Sequence, residues 1–585
     1  MDNQLQIITL ADILNTSVKK YADNRSYSII NGESLTYKQF GERVDHLVKI
    51  LNQNGVKAGE KIALLGGSMP NWPVSYMAVT SSSRIVVPLL PDFTAFEIAN
   101  ILEHSQARII IISKRLIYKL SDDIRAKLEL IICLDTLELL KVPSDNNLDN
   151  PEAKSEECRC IVPEAPKAED IASIIYTSGT SGNSKGVMLT HFNITSNLQM
   201  SYALYPIDEN DIFLSFLPLS HAYECTIGML YPLYKGSSVY YLNGAPTPSL
   251  LMPALKQVRP TIILSVPLIV EKIYKNKVRP IFTKNWTMQF LYSIGPIRRL
   301  FHKMAGKKLT EMFGGRLRFF GVGGAKIDYM VEQFLKDAGF PYAIGYGLTE
   351  CSPLIAGAVG KFNLQSTGPT LKWMEMRIDN PNRDGIGEIQ VKGANIMKGY
   401  YKDPERTASA FTQDGWFRTK DLGKMDKKGA LYIKGRVDNM LIGPNGENIY
   451  PEEIESVIRE NDFVLECIVC MAKDKLVAKV HFNYEQIEQI KELKYDLDDE
   501  IRKNLKEKYD QYSAKYEQLR KKYGLTDGIE RFYEKLENVK KDLLEYVNDR
   551  VNKTSRISEI IEQSAPFEKT ATQKIKRYLY TVSIR

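Results

Sequence analysis

The strongest constraint on how this chain folds lies between residues 171 and 189. There the apolar run Ile171–Tyr176 leads into the polar stretch TSGTSGNSK, and a second apolar run, Gly186–Leu189, follows at once. Short apolar runs bounded by Gly and Ser read as buried strands, so the segment predicts a strand, a small-residue loop and a second strand. Gly179 and Gly182 let backbone N–H groups approach a ligand, Thr177, Ser178, Thr180 and Ser181 add hydroxyl donors, and Lys185 adds a positive charge. That set suits the oxygens of a polyphosphate. It is not the phosphate loop of ordinary kinases and GTPases, in which Gly-Lys-Ser/Thr opens a helix, because here Gly186–Leu189, just after the lysine, reads as a strand. The bland alternative is a flexible turn, and the lysine and hydroxyls weigh against it.

Elsewhere, helical stretches at Tyr37–Gln53 and Phe96–His104 alternate with strand-like runs at Lys61–Leu65, Ala107–Ser113, Ile212–Phe216, Ser238–Leu242 and Thr261–Val266. This is the pattern of an α/β class protein. At 585 residues the chain exceeds what one core organises, so it is read as multidomain. Residues 142–169 lack a period and read as a surface connection. A large N-terminal domain of layered sheets and helices is expected over 1–434, and a small α+β C-terminal domain over 435–585. Strands are placed at Cys467–Met471 and Leu476–Phe482, with a helical-hairpin insertion at about 486–551.

Within that insertion Leu497, Ile501, Leu505, Tyr509, Tyr512, Tyr516, Leu519 and Tyr523 mark one helix face, and Gly524 ends it. Thr526 and Asp527 are expected to cap a second helix that carries Leu536, Val539, Leu543 and Val547. The hairpin reads as packing on its own domain, and a partner or membrane-surface helix is the other reading.

A net charge of +7, set against 78 basic and 71 acidic side chains, gives no nucleic-acid footprint. Seven scattered cysteines fit a reducing compartment, the cytoplasm. Cys158 with Cys160, and Cys467 with Cys470, read as plain thiols rather than metal ligands. The start MDNQLQIITLADIL lacks the features of a secretory signal, and no window approaches the roughly 20 apolar residues of a membrane span. Membrane association, if it occurs, is peripheral.

Five further stretches follow in order: FLPLSHAY (Phe216–Tyr223), YGLTE (Tyr346–Glu350), GWFRTKDLG (Gly415–Gly423), GRVDNMLIGPNGENIYPEEIE (Gly435–Glu455) and PFEKTATQKIKR (Pro566–Arg577). Together with the 176–185 loop they resemble, over nearly the whole chain, the adenylate-forming superfamily of acyl-CoA synthetases, peptide-synthetase adenylation domains and luciferases. Val266-Pro267 leading into Glu271–Tyr274, with the SHAYE run, is most similar to the long-chain fatty acyl-CoA synthetases.

The resemblance implies ATP, Mg2+ and coenzyme A as reactants and cofactor, and a fatty acid as substrate. The acid becomes an acyl-adenylate with release of pyrophosphate, and the acyl group then passes to coenzyme A. An acyl-carrier protein is the alternative acceptor, and a non-catalytic nucleotide-binding partner protein the alternative class. The resemblance makes Glu350 a magnesium ligand with Thr177, and sets Tyr346, Gly347 and Thr349 beside the nucleotide. It lays Gly323, Gly324 and Ala325 on adenine, and gives the ribose to Asp421, in a loop after Trp416 and Phe417, with Arg436 as a second contact. Lys574 is the adenylation lysine, on a loop after Thr570 and Thr572. Asp438 is the hinge of a mobile small domain, Gly446 lines the pantetheine channel, and the active site is expected between the domains. His221 and Tyr223 border the acyl and carboxylate pocket, with a core-packed histidine as the plainer reading. One departure stands out: Lys420 occupies the position where the family has glycine.

Overall fold

The computed structural model describes residues 4–141, 164–177, 184–244, 246–283, 285–360, 362–442, 447–472, 475–490, 513–570 and 574–581. The chain divides into two compact units, Met1–Thr419 with Lys424–Tyr432, and Lys420–Gly423 with Ile433–Arg585.

The first unit holds two eight-stranded sheets. Strands such as Ile109–Ile112 and Leu130–Cys133 are apolar at every position and buried throughout, as parallel strands covered on both faces must be. Helix Tyr37–Gln53 occupies its expected span. The strand expected at Ala107–Ser113 shortens to Ile109–Ile112. Ala107 still serves the preceding helix, donating its N–H to the Leu102 carbonyl at 3.2 Å.

Helix His191–Leu204 is buried on nearly every side, with polar side chains such as Asn193, Asn197 and Gln199 inside as well as apolar ones, which suits an element packed between layers. It touches the Leu354–Val359 strand of one sheet and the Lys185–Thr190 strand of the other. Its first residue is fixed by a reciprocal cap, in which Thr190 Oγ1 accepts from Asn193 N–H and Asn193 Oδ1 accepts from Thr190 N–H. The strand that begins with Lys185 therefore has a defined end.

In the other sheet, strands Ile212–Ser215, Ile262–Ser265, Phe319–Val322 and Tyr342–Gly347 lie side by side and parallel. Their carboxyl ends share one edge, so the loops at 216–223, 266, 323–325 and 348–350 open together despite their separation in sequence.

The second unit is built on a three-stranded sheet of Val464–Ala472, Lys475–Phe482 and Glu559–Glu562. Helices Pro451–Ile458 and Ile529–Asn548 bury their apolar faces in the same core as that sheet. Residues 513–523 are helical, and Tyr516, Leu519, Phe532, Tyr533, Leu536, Val539, Leu543 and Val547 join this core. The described part of the insertion thus packs on its own unit. Leu497, Ile501, Leu505, Tyr509 and Tyr512 lie outside the described residues, as do Cys158 and Cys160. Cys467 and Cys470 are free, buried thiols within a strand.

The expected cap at Thr526 and Asp527 is not used. The second helix starts at Ile529, with Gly528 in the capping position and no side-chain cap. Asp527 instead accepts the Lys535 ammonium at 2.5 Å, and the Lys535 side chain is only 4 % exposed. A buried cation needs its counter-charge more than a helix end needs a side chain, because water satisfies the helix end at little cost.

Phe532 is fully buried at the centre of this core. Phe532→Ala is expected to lower the stability of the second unit by about 3–5 kcal/mol, read from the shift of its chemical-denaturation transition.

Candidate active site

Three side chains from distant parts of the first unit, Lys185, Tyr400 and Glu350, meet at one point. The strand Ile171–Thr177 pairs antiparallel with Lys185–Thr190, with Thr177 opposite Lys185 across the mouth of the hairpin. Gly399–Tyr400 adds to the outer side of that pair, with Tyr400 opposite Val187. From the other sheet, the turn after Tyr342–Gly347 delivers Glu350. Lys185 Nζ donates to Glu350 Oε1 at 2.5 Å and to the Tyr400 hydroxyl at 2.9 Å, and Tyr400 donates to the same carboxylate oxygen at 3.0 Å. The ammonium also lies 4.6 Å from the centre of the Tyr400 ring.

Gly347 makes this turn possible, because a Cβ there would sit 2.0 Å from the Pro353 carbonyl oxygen. Glu350 is 7 % exposed, in contrast to the solvated carboxylate usual after a turn. Burial works to raise its pKa, but the charge and hydrogen bond of Lys185, with help from Tyr400, outweigh burial and hold it below the ordinary carboxylate value. Glu350 is therefore ionised at neutral pH.

Thr177 Oγ1 is buried with no hydrogen-bond partner among the described residues. With the ionised Glu350 it supplies two hard oxygen donors, the kind a magnesium ion takes alongside phosphate oxygens, so these residues fit that ion. Among the described residues no cluster of three or more His, Cys, Asp and Glu is present to hold a metal by protein groups alone. Ser178, Gly179, Thr180, Ser181 and Gly182 lie outside the described residues.

Along the shared sheet edge, Gly323 follows Phe319–Val322 and its N–H donates to the Ser265 carbonyl at 3.1 Å. A Cβ on Gly323 would lie 3.4 Å from the Tyr223 ring, so the SHAY segment packs directly on the backbone that precedes Gly324 and Ala325, both of which are exposed. Tyr346 is buried within its strand. His221 Nδ1 accepts the Tyr223 N–H at 3.3 Å, so it braces the local turn.

Beside them lies a group that sequence reasoning did not single out. Glu224 is 1 % exposed, and Gly228 leaves the space its carboxyl fills, since a Cβ there would meet Glu224 Cδ at 2.5 Å. Ser215 Oγ donates to Oε1 at 2.5 Å, while Oε2 has no partner among the described residues. Burial pushes this carboxyl up to about 8, against the pull of Ser215, so it is mostly neutral at pH 7.

In the second unit, Asp421 lies within the strand Phe417–Met425 and not in the expected loop. It is buried and forms an ion pair with Arg436, whose Nε lies 3.0 Å from its carboxylate, which pairs the two residues assigned to ribose. Lys420, immediately before it, has φ +59°. That is the left-handed region glycine adopts without cost, so the backbone here suits the glycine that the family resemblance implies at this position. The lysine takes the same conformation, with its side chain 59 % exposed and its ammonium 3.8 Å from Asp438.

Lys574 sits on a hairpin end. Thr570 N–H donates to the Lys574 carbonyl at 2.8 Å, and Lys574 N–H donates to Thr570 Oγ1 at 3.3 Å. Its neighbours pair with carboxylates, Lys569 with Glu466 and Lys576 with Glu568, and Lys574 itself is exposed. Thr572 and Gly446 lie outside the described residues. Tyr400 is the partner of Glu350 that the sequence did not reveal. Nothing in its spacing ties it to a lysine 215 positions earlier.

The family profile described as AMP-binding enzyme matches residues 14–401. Fatty acyl-CoA synthetase A of Dictyostelium discoideum is 28% identical over 473 residues, covering 74% of this chain and 69% of its own. Long chain acyl-CoA synthetase 1 of Arabidopsis thaliana is 28% identical over 537 residues, covering 82% and 80%. Among solved structures, ATP-bound MatB from Rhodopseudomonas palustris aligns over 98% of both chains with a TM-score of 0.72 and 20% identity, a likeness of fold.

Two variants test the electrostatics. Lys185→Met leaves the Glu350 charge buried without its cation, and a cost of about 3–5 kcal/mol is expected at pH 7. The native contribution, from a carboxyl held below its unfolded value, is present above that value and fades as pH falls through the lower, folded one, so the gap between variant and wild type should close in acid. Glu224 has the opposite sign. Its carboxyl keeps its proton in the fold up to about 8, so wild-type stability should decline as pH rises from 4.5 towards 8. Glu224→Gln should flatten that slope in denaturation curves taken across the interval.

Proposed function

The chain belongs to the AMP-binding enzyme family, and we propose that it joins a fatty acid to coenzyme A through an acyl-adenylate. It is an AMP-forming acid–thiol ligase. The observation that carries the reading is the junction at Glu350, where an ionised, buried carboxylate holds Lys185 at the mouth of the Thr177 hairpin.

In the first half-reaction a carboxylate oxygen of the acid attacks the α-phosphorus of ATP. The new bond is an acyl-phosphate linkage, and the bond to the β-phosphate breaks with pyrophosphate as leaving group. Lys185, Thr177 and the hydroxyls and backbone of 178–182 bind the phosphates that leave. Thr177 and Glu350 would hold magnesium, which supplies charge neutralisation on those oxygens. Gly323, Gly324 and Ala325, with Tyr346, Gly347 and Thr349, receive adenine and the adjoining nucleotide, while Asp421 and Arg436 bind ribose. Tyr223 and His221 border the acyl chain and its carboxylate. Lys574 places its charge where the carboxylate oxygen meets the α-phosphate.

In the second half-reaction the thiol of coenzyme A attacks the acyl carbonyl, and AMP leaves with the electron pair of the broken C–O bond. Here the Gly446 loop guides the pantetheine arm. The small domain, 435–585, carries both Lys574 and Gly446, so the two half-reactions call on different parts of it, with Asp438 as hinge. The large domain, 1–434, binds ATP and the acid. The reading includes peripheral contact with a membrane, the reservoir of long-chain acids.

The names of the relatives support fatty acids as the substrate class. An acid-dependent AMP-release assay over short, medium, long and aromatic carboxylates is expected to peak on long chains with coenzyme A as acceptor. Turnover with acyl-carrier protein alone would replace the acceptor, and no pyrophosphate release with any acid would reject the reading. Lys574→Ala is expected to lower adenylate formation by roughly 100-fold or more while sparing thioester formation from preformed acyl-AMP. Equal loss in both steps would remove Lys574 from its role.

A further inference from the structure

Ten Lys and Arg and no Asp or Glu fall between residues 272 and 310, more positive charge than the +7 of the entire chain. The rest of the molecule is therefore slightly acidic, and this one segment carries the excess. The same stretch also exposes large apolar side chains. Helix Trp286–Ser293 turns Trp286 and Phe290, four residues apart and so on one face, to solvent at 76 % and 62 % exposure. The next helix, Gly295–Met312, does the same with Leu300 at 57 % and Met304 at 60 %. Arg299, Lys303 and Lys307 run alongside at the same spacing, all exposed.

These side chains are not displaced core. The inner faces of the two helices are already satisfied. Tyr292 lies within hydrogen-bond distance of His302 Nε2 at 2.8 Å, His302 Nδ1 lies 3.0 Å from Asp337, and Phe282 stacks between Tyr292 and Phe301 at 5.0 and 5.7 Å. His302, Gly306 and Leu309 are buried beneath. The packed pair of helices thus holds an outer face of Trp, Phe, Leu and Met among cations. No helix among the described residues is long and apolar enough to cross a membrane.

We infer that the outer face of helices Trp286–Ser293 and Gly295–Met312 docks on an anionic phospholipid bilayer, with the aromatic pair in the headgroup boundary and the basic row on lipid phosphates and carboxylates. Indole and phenyl rings favour that boundary, and basic side chains add attraction to acidic lipid. An apolar patch for a protein partner is usually depleted of lysine at its centre, whereas here lysines intersperse it. The inference names the surface for the membrane contact included above, and it rests on the chemistry of this face, not on the catalytic reading.

The test is flotation of the full chain with vesicles of equimolar phosphatidylcholine and phosphatidylserine, beside vesicles of phosphatidylcholine alone. Wild type should float with the acidic vesicles and be released by high salt. Trp286→Ser with Phe290→Ser should weaken binding by about tenfold or more, since the apolar anchors are lost. Lys303→Glu with Lys307→Glu should weaken it by at least about fivefold per residue, the worth of one basic side chain near such a surface. Both double variants should keep the wild-type unfolding temperature and release AMP normally from detergent-dispersed acid, so a failed surface and a failed ligase reading give different results. Failure of wild type to float at low salt, or unchanged flotation of both variants, would overturn the proposal. So would a dimer in sedimentation that Trp286→Ser dissolves, because a second copy would then be the occupant.

Discussion

A buried carboxylate sets the terms for the large unit. Glu350 is removed from water, at a cost of several kcal/mol unless a cation and hydrogen-bond donors replace the lost hydration. Lys185 and Tyr400 supply them from the hairpin side, while Glu350 arrives from the parallel-strand side. The contact therefore links the edges of two separate sheets. Helix His191–Leu204 packs against a strand of each sheet, and the close turn at Gly347 brings the carboxylate within reach. A charge arrangement of this kind is set before substrate arrives, which is the condition for electrostatic work on phosphate oxygens without reorganisation at the moment of reaction.

The small unit solves a related problem at its C-terminal hairpin. Arg577 pairs with the buried Glu455, whose other oxygen accepts the Val469 N–H at 2.7 Å. Burial alone raises the Glu455 pKa, and Arg577 opposes that shift. Phe567 N–H donates to Glu466, which also pairs with Lys569, and the rings of Phe567 and Tyr580 meet edge to face at 4.8 Å. The segment that carries Lys574 is thereby tied to the sheet through its flanking residues.

Much of this was legible from local pattern. The helix Tyr37–Gln53 is found over the span its sequence pattern predicts, and the strand read at Gly186–Leu189 is found within Lys185–Thr190. Lys420 was visible as a departure, and the backbone angle explains it. Other features were illegible for physical reasons. Thr526 and Asp527 look like a helix cap, but the Lys535 ammonium, eight residues beyond Asp527, claims the carboxylate. Glu224 reads as an ordinary acidic residue until the space beside Gly228 and the shelter of neighbouring strands show it to be neutral. Tyr400 carries no motif, because its role comes from strand pairing with Val187.

The sequence by itself determined the alternation of strands and helices, the hydroxyl- and glycine-rich loop near position 180, and the order of motifs that places the chain in its family. These are encoded in residue type and spacing over a few turns of chain, where local sterics and apolar period dominate. Only the tertiary structure decided which charges are buried, which are paired and which stand outside. Those outcomes depend on desolvation, and desolvation is fixed by segments hundreds of residues apart closing over a side chain.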